Sequence, residues 1–218
     1  TCIGLEKVLD SYMWRKKDWK GTKEELHKLS RELEAAVRNG LDDCARDACN
    51  RIIQWGGSPG LGNGAGKFLR RLQAEGRLNA YLKHCSAKFF LQDADSDEFV
   101  GVEDMYSMLT KIHALYATDG LPIYDSRVAV AIAGLIELAR RDRPKPWAEV
   151  PKLLSFPAVP SRMEKGRRVR DLFADAHNPG ELRWQKDRVQ LAARWSSAKV
   201  RLGWIMQAVL ECSDNLFE

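Results

Sequence analysis

The sequence lacks the features that mark a membrane-spanning or secreted protein. No stretch approaches the roughly 18 consecutive apolar residues that a transmembrane helix needs. The N-terminal residues do not follow the basic, apolar and small-residue order of a secretory signal. We therefore expect a cytoplasmic protein that does not cross a membrane.

Paired cysteines are also missing. The five cysteines are odd in number and scattered, with no Cys-x-x-Cys and no paired Cys/His spacing. Such spacings hold structural zinc, and even sets of cysteines staple small secreted domains. The sequence therefore predicts reduced thiols and no metal or other cofactor. With 218 residues, of which 44% are hydrophobic, the chain can bury a core without staples.

Strand-like alternation of apolar and polar residues is absent, and apolar residues recur at helical spacing instead. The pattern predicts helices over 22–39, 41–55, 67–75, 103–116, 126–141, 161–177 and 181–212. Residues 83–91 fit either the end of a helix or a short extended segment. The prediction is an all-α bundle and a single domain over 1–218, in which 1–143 and 161–218 can form two lobes joined by the proline-rich stretch 144–160. The helix over 126–141 is apolar nearly all round and is predicted to be central.

Acidic residues are scarce in the last third of the chain. Residues 140–201 contain 16 Lys and Arg against 7 Asp and Glu, whereas residues 1–139 are balanced at 19 against 20. A basic segment in a balanced protein indicates a polyanionic partner such as nucleic acid. The alternative is that these are only solvated helix faces. The predicted contacts to nucleic-acid phosphates are Arg162, Lys165, Arg167, Arg168, Arg170, Lys199 and Arg201.

The glycine-rich stretch 56–66 is not a nucleotide-binding phosphate loop. Lys67 is followed by Phe68 where a Ser or Thr must hold magnesium, and no strand precedes the stretch. Glycines before a helix can still expose backbone N–H groups to a phosphate, so Lys67 joins the predicted phosphate contacts. The alternative is a surface loop without a ligand.

A lysine and an aspartate stand out between residues 110 and 130. Lys111 is predicted to border the apolar face of its helix, beside Met108 and Leu115. Asp125 comes where the next helix begins. The alternatives are an N-cap for the aspartate and an exposed lysine whose aliphatic part covers the surface.

This segment resembles the active-site stretch of the helix-hairpin-helix DNA glycosylase superfamily, especially its 8-oxoguanine DNA glycosylase branch. The resemblance lies in Thr110-Lys111-Ile112 followed by Leu121-Pro122-Ile123-Tyr124-Asp125. It implies a helical glycosylase fold, with Lys111 in covalent glycosylase/lyase chemistry and Asp125 as the catalytic carboxylate. Two features differ from the family: residues 105–109 lack its Gly-x-Gly hairpin turn, and the interval from lysine to aspartate is shorter.

The resemblance implies base-excision repair chemistry on DNA. A fixed carboxylate stabilises the positive charge that forms on the sugar, and a deprotonated lysine attacks the anomeric carbon. The target base must leave the stack, and aromatic side chains provide surfaces for it. The predicted base-pocket residues are Tyr116, Tyr124, Trp55 and Trp204. The alternative function is a non-catalytic module on the same scaffold that binds nucleic acid or an acidic partner through the basic third.

Overall fold

The computed structural model describes residues 9–57, 62, 64–95, 98–142, 149–159, 177, 179–183 and 186–212. Over these residues the protein is all-α, as predicted, and no strand occurs among them. The seven α-helices are α1 Trp19–Arg38, α2 Asp42–Trp55, α3 Ala65–Ala74, α4 Leu78–Phe89, α5 Ser107–Tyr116, α6 Ser126–Arg141 and α7 Arg188–Cys212. A short 3-10 helix spans Lys152–Leu154. No helix in this part of the chain is both long and apolar enough to cross a membrane.

Capping residues explain where the helices begin. α1 begins at Trp19 because the Asp18 carboxylate accepts a hydrogen bond from the Gly21 N–H at 2.8 Å. The predicted start at residue 22 is therefore three residues too late, and Thr22 is buried inside the helix. α4 begins at Leu78, where the Asp42 carboxylate accepts from two backbone N–H groups. Residues 83–89 are thus helical, which answers the question that the sequence left open.

Helix α5 lies at the centre of the fold. Five consecutive residues, 109–113, are buried, so neighbouring elements cover the helix on every side. It begins at Ser107, four residues later than predicted. Helices α1 to α5 approach one another most closely. This placement makes α5 a rigid support for any functional side chain that it carries.

Helix α6 has the predicted bounds but not the predicted position. Only one stripe, Val128, Ile132 and Ile136, packs against the core. On the other side Leu135 is 62% exposed and Leu138 is 45% exposed. The prediction of a central helix is wrong because an apolar composition does not reveal which side of a helix has neighbours. The division into two lobes stays a prediction, and the predicted helix over 161–177 falls mainly outside the described residues.

Candidate functional site

The two residues of the glycosylase-like motif converge in space. The Lys111 Nζ lies 3.2 Å from Asp125 Oδ2 and 3.2 Å from the Ser107 carbonyl oxygen, to which it also donates. The Lys111 side chain is 5% exposed and that of Asp125 is 17% exposed. The lysine is therefore not a surface residue, and solvent reaches the pair mainly through the carboxylate.

Asp125 caps α6 and binds the lysine at the same time. Its Oδ1 accepts hydrogen bonds from the N–H groups of Arg127 at 2.9 Å and Val128 at 3.2 Å. Its Oδ2 is the oxygen that faces Lys111. The N-cap alternative is thus correct but incomplete, because a cap requires only one of the two oxygens.

Burial and charge act on the protonation of the pair. Burial lowers the pKa of Lys111, and although the Asp125 carboxylate opposes this effect, the net shift is downward. Burial alone raises the pKa of Asp125. The Lys111 charge and the N–H groups of Val128 and Arg127 together outweigh it and lower that pKa. The carboxylate therefore stays ionised, and the amine loses its proton more readily than an exposed lysine.

A second set of hydrogen bonds fixes the backbones that carry this pair. The Thr110 hydroxyl donates to the Tyr124 carbonyl oxygen at 3.1 Å, one residue before each member of the pair. The Tyr124 hydroxyl donates to the Pro157 carbonyl oxygen at 2.8 Å. From α7, Lys199 Nζ donates to the Thr110 carbonyl oxygen at 2.6 Å. Thr110 therefore joins α5 to two other parts of the chain: the segment that precedes α6, and helix α7.

Gly56, which follows α2, lies directly against Lys111. A Cβ atom at this position would be 2.8 Å from Lys111 Cδ and 3.2 Å from Met108 Sδ. The first distance is shorter than real Cβ contacts and the second is tighter than most, so a side chain at position 56 would require Lys111 to shift. The sequence marked Gly56 as a helix end, but nothing local in it indicated this contact.

Two tryptophans and an arginine form a cluster beside the site. The cluster is linked along the chain both to Gly56 and to Asp125. The Trp14 and Trp55 ring centroids are 5.9 Å apart, and the Arg127 guanidinium lies 5.5 Å from the Trp14 ring. Trp55 precedes Gly56, and Arg127 follows Asp125 by two residues. Both indole N–H groups are buried, and no hydrogen-bond acceptor for them occurs in the described part of the chain. Trp55 was a predicted pocket residue, whereas sequence analysis missed Trp14 and Arg127.

The other predicted pocket residues lie elsewhere in the fold. Tyr124 is fully buried and its hydroxyl is bonded, so its prediction as a base-stacking surface is wrong. Trp204, on α7, is half-buried and donates to the Leu91 carbonyl oxygen at 2.8 Å. Tyr116 is half-buried at the end of α5. Within the described part of the chain, neither residue forms a hydrogen bond with Lys111 or Asp125.

The predicted phosphate contacts have very different positions. Lys67 is exposed in the first turn of α3, beside a cleft that Arg71 and Arg188 also line. Lys199 is fully buried, and its amine is hydrogen-bonded inside the core. Its prediction as a phosphate contact is therefore wrong. Arg201 is 9% exposed and donates to the carbonyl oxygens of Lys152 and Ser197. Arg162, Lys165, Arg167, Arg168 and Arg170 lie outside the described residues.

The described ranges contain no group of three or more His, Cys, Asp or Glu side chains that could hold a metal ion.

Comparison with protein-family models, with curated proteins and with solved structures found no match. What the chain can do is therefore indicated by its own side chains, foremost the buried lysine and carboxylate.

Proposed function

We propose that the chain is a DNA N-glycosylase that removes a damaged or modified base and uses Lys111 as its nucleophile. The observation that carries this proposal is the buried ion pair of Lys111 and Asp125, with 3.2 Å between Nζ and Oδ2. It agrees with the roles that the resemblance to the helix-hairpin-helix glycosylases implies. The fit of the motif to a defined pair of side chains supports a site for acid-base and covalent chemistry.

Lys111 supplies the nucleophile. Its pKa is lowered by burial, so a larger fraction of the amine is neutral near physiological pH than for an exposed lysine. The amine nitrogen bonds to the sugar C1′ while the bond from C1′ to the base breaks, and the base leaves with the electron pair. Loss of a proton from the nitrogen and opening of the sugar ring then give an imine. The imine is the intermediate from which lyase cleavage of the strand proceeds.

Asp125 supplies a fixed negative charge. Positive charge builds up on the sugar as the glycosidic bond breaks, and a carboxylate held by two backbone N–H groups stabilises it without reorganising. Its Oδ2 is also the nearest described acceptor for a proton from Lys111 Nζ. Asp125 thus orients the amine before the reaction and stabilises charge during it.

Binding of DNA is assigned to the basic last third and to Lys67. Lysine and arginine side chains bind phosphates without reading the sequence, and such binding weakens steeply with salt. Of the predicted base-pocket residues, Trp55 precedes Gly56, against which Lys111 packs. It is 8% exposed and packs on Trp14, so a base that stacks on it must first displace Trp14.

Borohydride trapping tests the nucleophile. The wild-type protein is incubated with duplexes that carry 8-oxoguanine, uracil or an abasic site, and sodium borohydride reduces any imine to a stable adduct. We expect an adduct and strand cleavage with at least one duplex, and neither with Lys111→Gln, because a carboxamide cannot form an imine. Lys28→Gln is the matched control, since Lys28 is an exposed lysine on α1 with a 73% exposed side chain.

The outcomes separate the two functions that the sequence left open. Base release without an adduct, lost in Asp125→Asn but kept in Lys111→Gln, would indicate a glycosylase that uses water. If no duplex gives base release or an adduct, the ion pair is structural and the chain is a binding module. An adduct that survives in Lys111→Gln would refute the role of Lys111.

A further inference from the structure

A tight turn ahead of α1, called here the basic turn and formed by residues 14–17, holds two basic residues in a strained conformation. Trp14 and Lys17 exchange both backbone hydrogen bonds at 2.9 Å, so Arg15 and Lys16 form the loop between them. Their φ angles are 50° and 66°, and no other residue except glycine has a positive φ in the part of the chain that the structure describes. Turns of this kind normally use Asn and Gly. Because strained residues are concentrated at functional sites, the two side chains are expected to act outside the turn itself.

The charges at the tip of the basic turn have no partner in the protein. Arg15 and Lys16 are exposed, and neither side chain forms an ion pair or a hydrogen bond within the described residues. Two acidic residues that follow the turn already have partners, since Glu25 binds Lys17 at 3.0 Å and the Asp18 carboxylate caps α1. The two cations at the tip are therefore available to an anionic ligand.

The basic turn lies against the cluster of two tryptophans beside the candidate site. Trp14 packs on Trp55, and the Arg127 guanidinium lies 5.5 Å from the centre of the Trp14 ring. Arg127 is exposed, and no ion pair of its side chain occurs over the described ranges. A guanidinium nitrogen of Arg15 lies 3.9 Å from the place that a Cβ atom on Gly57 would take. Cations from the turn and from the start of α6 therefore surround the same tryptophan.

Two buried donors in this cluster lack an acceptor. The indole N–H groups of Trp14 and Trp55 are buried, and neither has a hydrogen-bond partner in the described part of the chain. A buried donor without a partner is uncommon and requires an explanation. Nucleotides carry carbonyl and phosphate oxygens that accept such bonds. The cluster thus combines the cations and the aromatic surfaces that bind nucleic-acid strands.

We propose that the basic turn and Arg127 hold the DNA strand that carries the target nucleotide, by binding the phosphates on either side of it. The proposal rests on the proposed function, which makes DNA the ligand. Guanidinium and ammonium groups bind phosphate oxygens through charge-assisted hydrogen bonds. Phosphate contacts then lie beside the candidate site, whereas Lys199 and Arg201 of the basic last third donate to carbonyl oxygens inside the protein.

Strand binding at the basic turn also acts on the candidate base pocket. Trp14 covers Trp55, and a base can stack on Trp55 only after Trp14 has moved. Because Trp14 belongs to the turn that binds the strand, one element both holds the phosphates and uncovers the ring. The two unpaired indole N–H groups then meet the acceptors of the nucleotide.

DNA binding without reaction tests this surface. The ligand is a fluorescent duplex with a tetrahydrofuran abasic-site analogue, which cannot form an imine, and anisotropy measures its dissociation constant with the whole chain. In Arg15→Gln/Lys16→Gln the dissociation constant should rise roughly 10–100-fold at low salt, and the slope of log affinity against log salt should become less steep by about 2. Lys28→Gln/Arg38→Gln is the matched control, because it removes two charges from exposed positions further along α1 and should bind like the wild type.

A second pair of variants separates loss of charge from loss of structure. Arg15→Asn/Lys16→Gly supplies the residues that favour this turn, so the urea midpoint should stay the same or rise. Its DNA affinity should nevertheless fall as far as that of the Gln variant. Arg15→Lys/Lys16→Arg keeps both charges and should bind within about threefold of the wild type.

The outcomes distinguish this proposal from the proposed function. DNA binding that depends on the basic turn, in a chain that never releases a base or forms an adduct, would refute the glycosylase but support the surface. An active chain that binds equally well in the turn variant and in the Lys28/Arg38 control would refute the surface alone. No binding of the duplex by the wild type at low salt would overturn the proposal, and sedimentation with phosphatidylserine vesicles instead would make the basic turn a membrane contact.

Discussion

Helix α5 meets two buried lysines, and their surroundings differ. Lys111, on α5 itself, is 4% exposed and faces the Asp125 carboxylate at 3.2 Å. Lys199 reaches α5 from α7, is fully buried, and donates to the Thr110 carbonyl oxygen. One lysine thus bonds to a charged partner, the N-cap of α6, and the other bonds to the backbone of α5.

The difference teaches what burial does with and without a carboxylate that is hydrogen-bonded to the amine, since Asp119 raises the pKa of Lys199 by its charge alone. Burial lowers the pKa of both lysines. At Lys111 the Asp125 carboxylate raises the pKa and so offsets part of the effect of burial. At Lys199 the charge of Lys111 lowers the pKa further, so that the pKa of Lys199 lies well below its usual value. Asp125 therefore holds a proton on Lys111 more firmly than burial alone would allow, whereas the surroundings of Lys199 favour a neutral amine that ties α7 to α5.

The largest effect should come from exchanging each lysine for methionine. Lys111→Met should abolish the borohydride-trapped adduct on an abasic-site duplex, because no amine remains at the site. Lys199→Met should keep the adduct yield within about twofold, because its amine cannot reach a substrate and a methionine of similar size fills the core. Trapping yield measures both. Loss of the adduct in Lys199→Met, in a protein that still unfolds cooperatively, would reverse the assignment of the two lysines.

Asp125→Asn should give the next largest effect. Base release should fall by roughly 10²–10³-fold, as when other fixed electrostatic groups are removed from active sites. Asn is as good a cap as Asp, but Lys111 loses its charged partner, so the free energy of unfolding should fall by about 1–3 kcal/mol. Turnover on the preferred lesion and urea denaturation check the two parts.

The same variant should alter the pH dependence of the amine. Asp125 raises the pKa of Lys111, so its removal should move the rise of adduct formation on an abasic duplex to lower pH. The abasic duplex bypasses base release, which isolates the lysine. Asp18→Asn is the matched control, because Asp18 also caps a helix but lies away from Lys111. An unchanged pH profile would mean that the carboxylate does not act on the amine.

Local signals made part of this site predictable. The bounds of α6 and the start of the candidate site follow from Asp125, a capping residue before an apolar run, and the end of α2 follows from Gly56. Lys111 and Asp125 were both singled out from a motif of sixteen residues read as one unit, 110–125, although their pairing was not predicted. Each of these features is contained in a short stretch of chain.

The remaining features depend on contacts between distant segments. Trp14 meets Trp55, Gly56 meets Lys111, and Lys199 meets Thr110, pairs that no local pattern connects. The position of α6 was mispredicted for the same reason, since the arrangement of its neighbours decides which side is covered. Charge content also gave a wrong prediction at Lys199, which is fully buried although a basic residue is expected to face solvent.

Gly56→Ala should have an intermediate effect on activity. The added Cβ displaces Lys111 from Asp125, and a misplacement of about 1 Å can cost roughly 10–100-fold in rate. Stability should fall by about 1–3 kcal/mol at most, as for other overpacked sites. The rate of adduct formation and the urea midpoint measure these effects. In Gly134→Ala, the control on α6 where a Cβ meets open space, activity should be unchanged, and an equal rate in the two variants would remove Gly56 from the site.

The smallest effect should be a change in how stability depends on pH, and it tests the protonation of Lys199. A lysine whose pKa is lowered on folding binds fewer protons in the folded state, so the free energy of unfolding rises with pH between the folded pKa and the unfolded value of about 10.4. One such group contributes at most about 1.4 kcal/mol per pH unit. The difference in stability between the wild type and Lys199→Met should therefore change with pH below about 10, the unfolded value, with the wild type gaining as pH rises. The thiols of Cys49 and Cys85, whose pKa burial raises to about 12, act in the opposite direction in both proteins and largely cancel in that difference. Parallel stability curves from urea denaturation would show that Lys199 keeps its proton in the core, and the contrast between the two lysines would then lie in access to substrate alone.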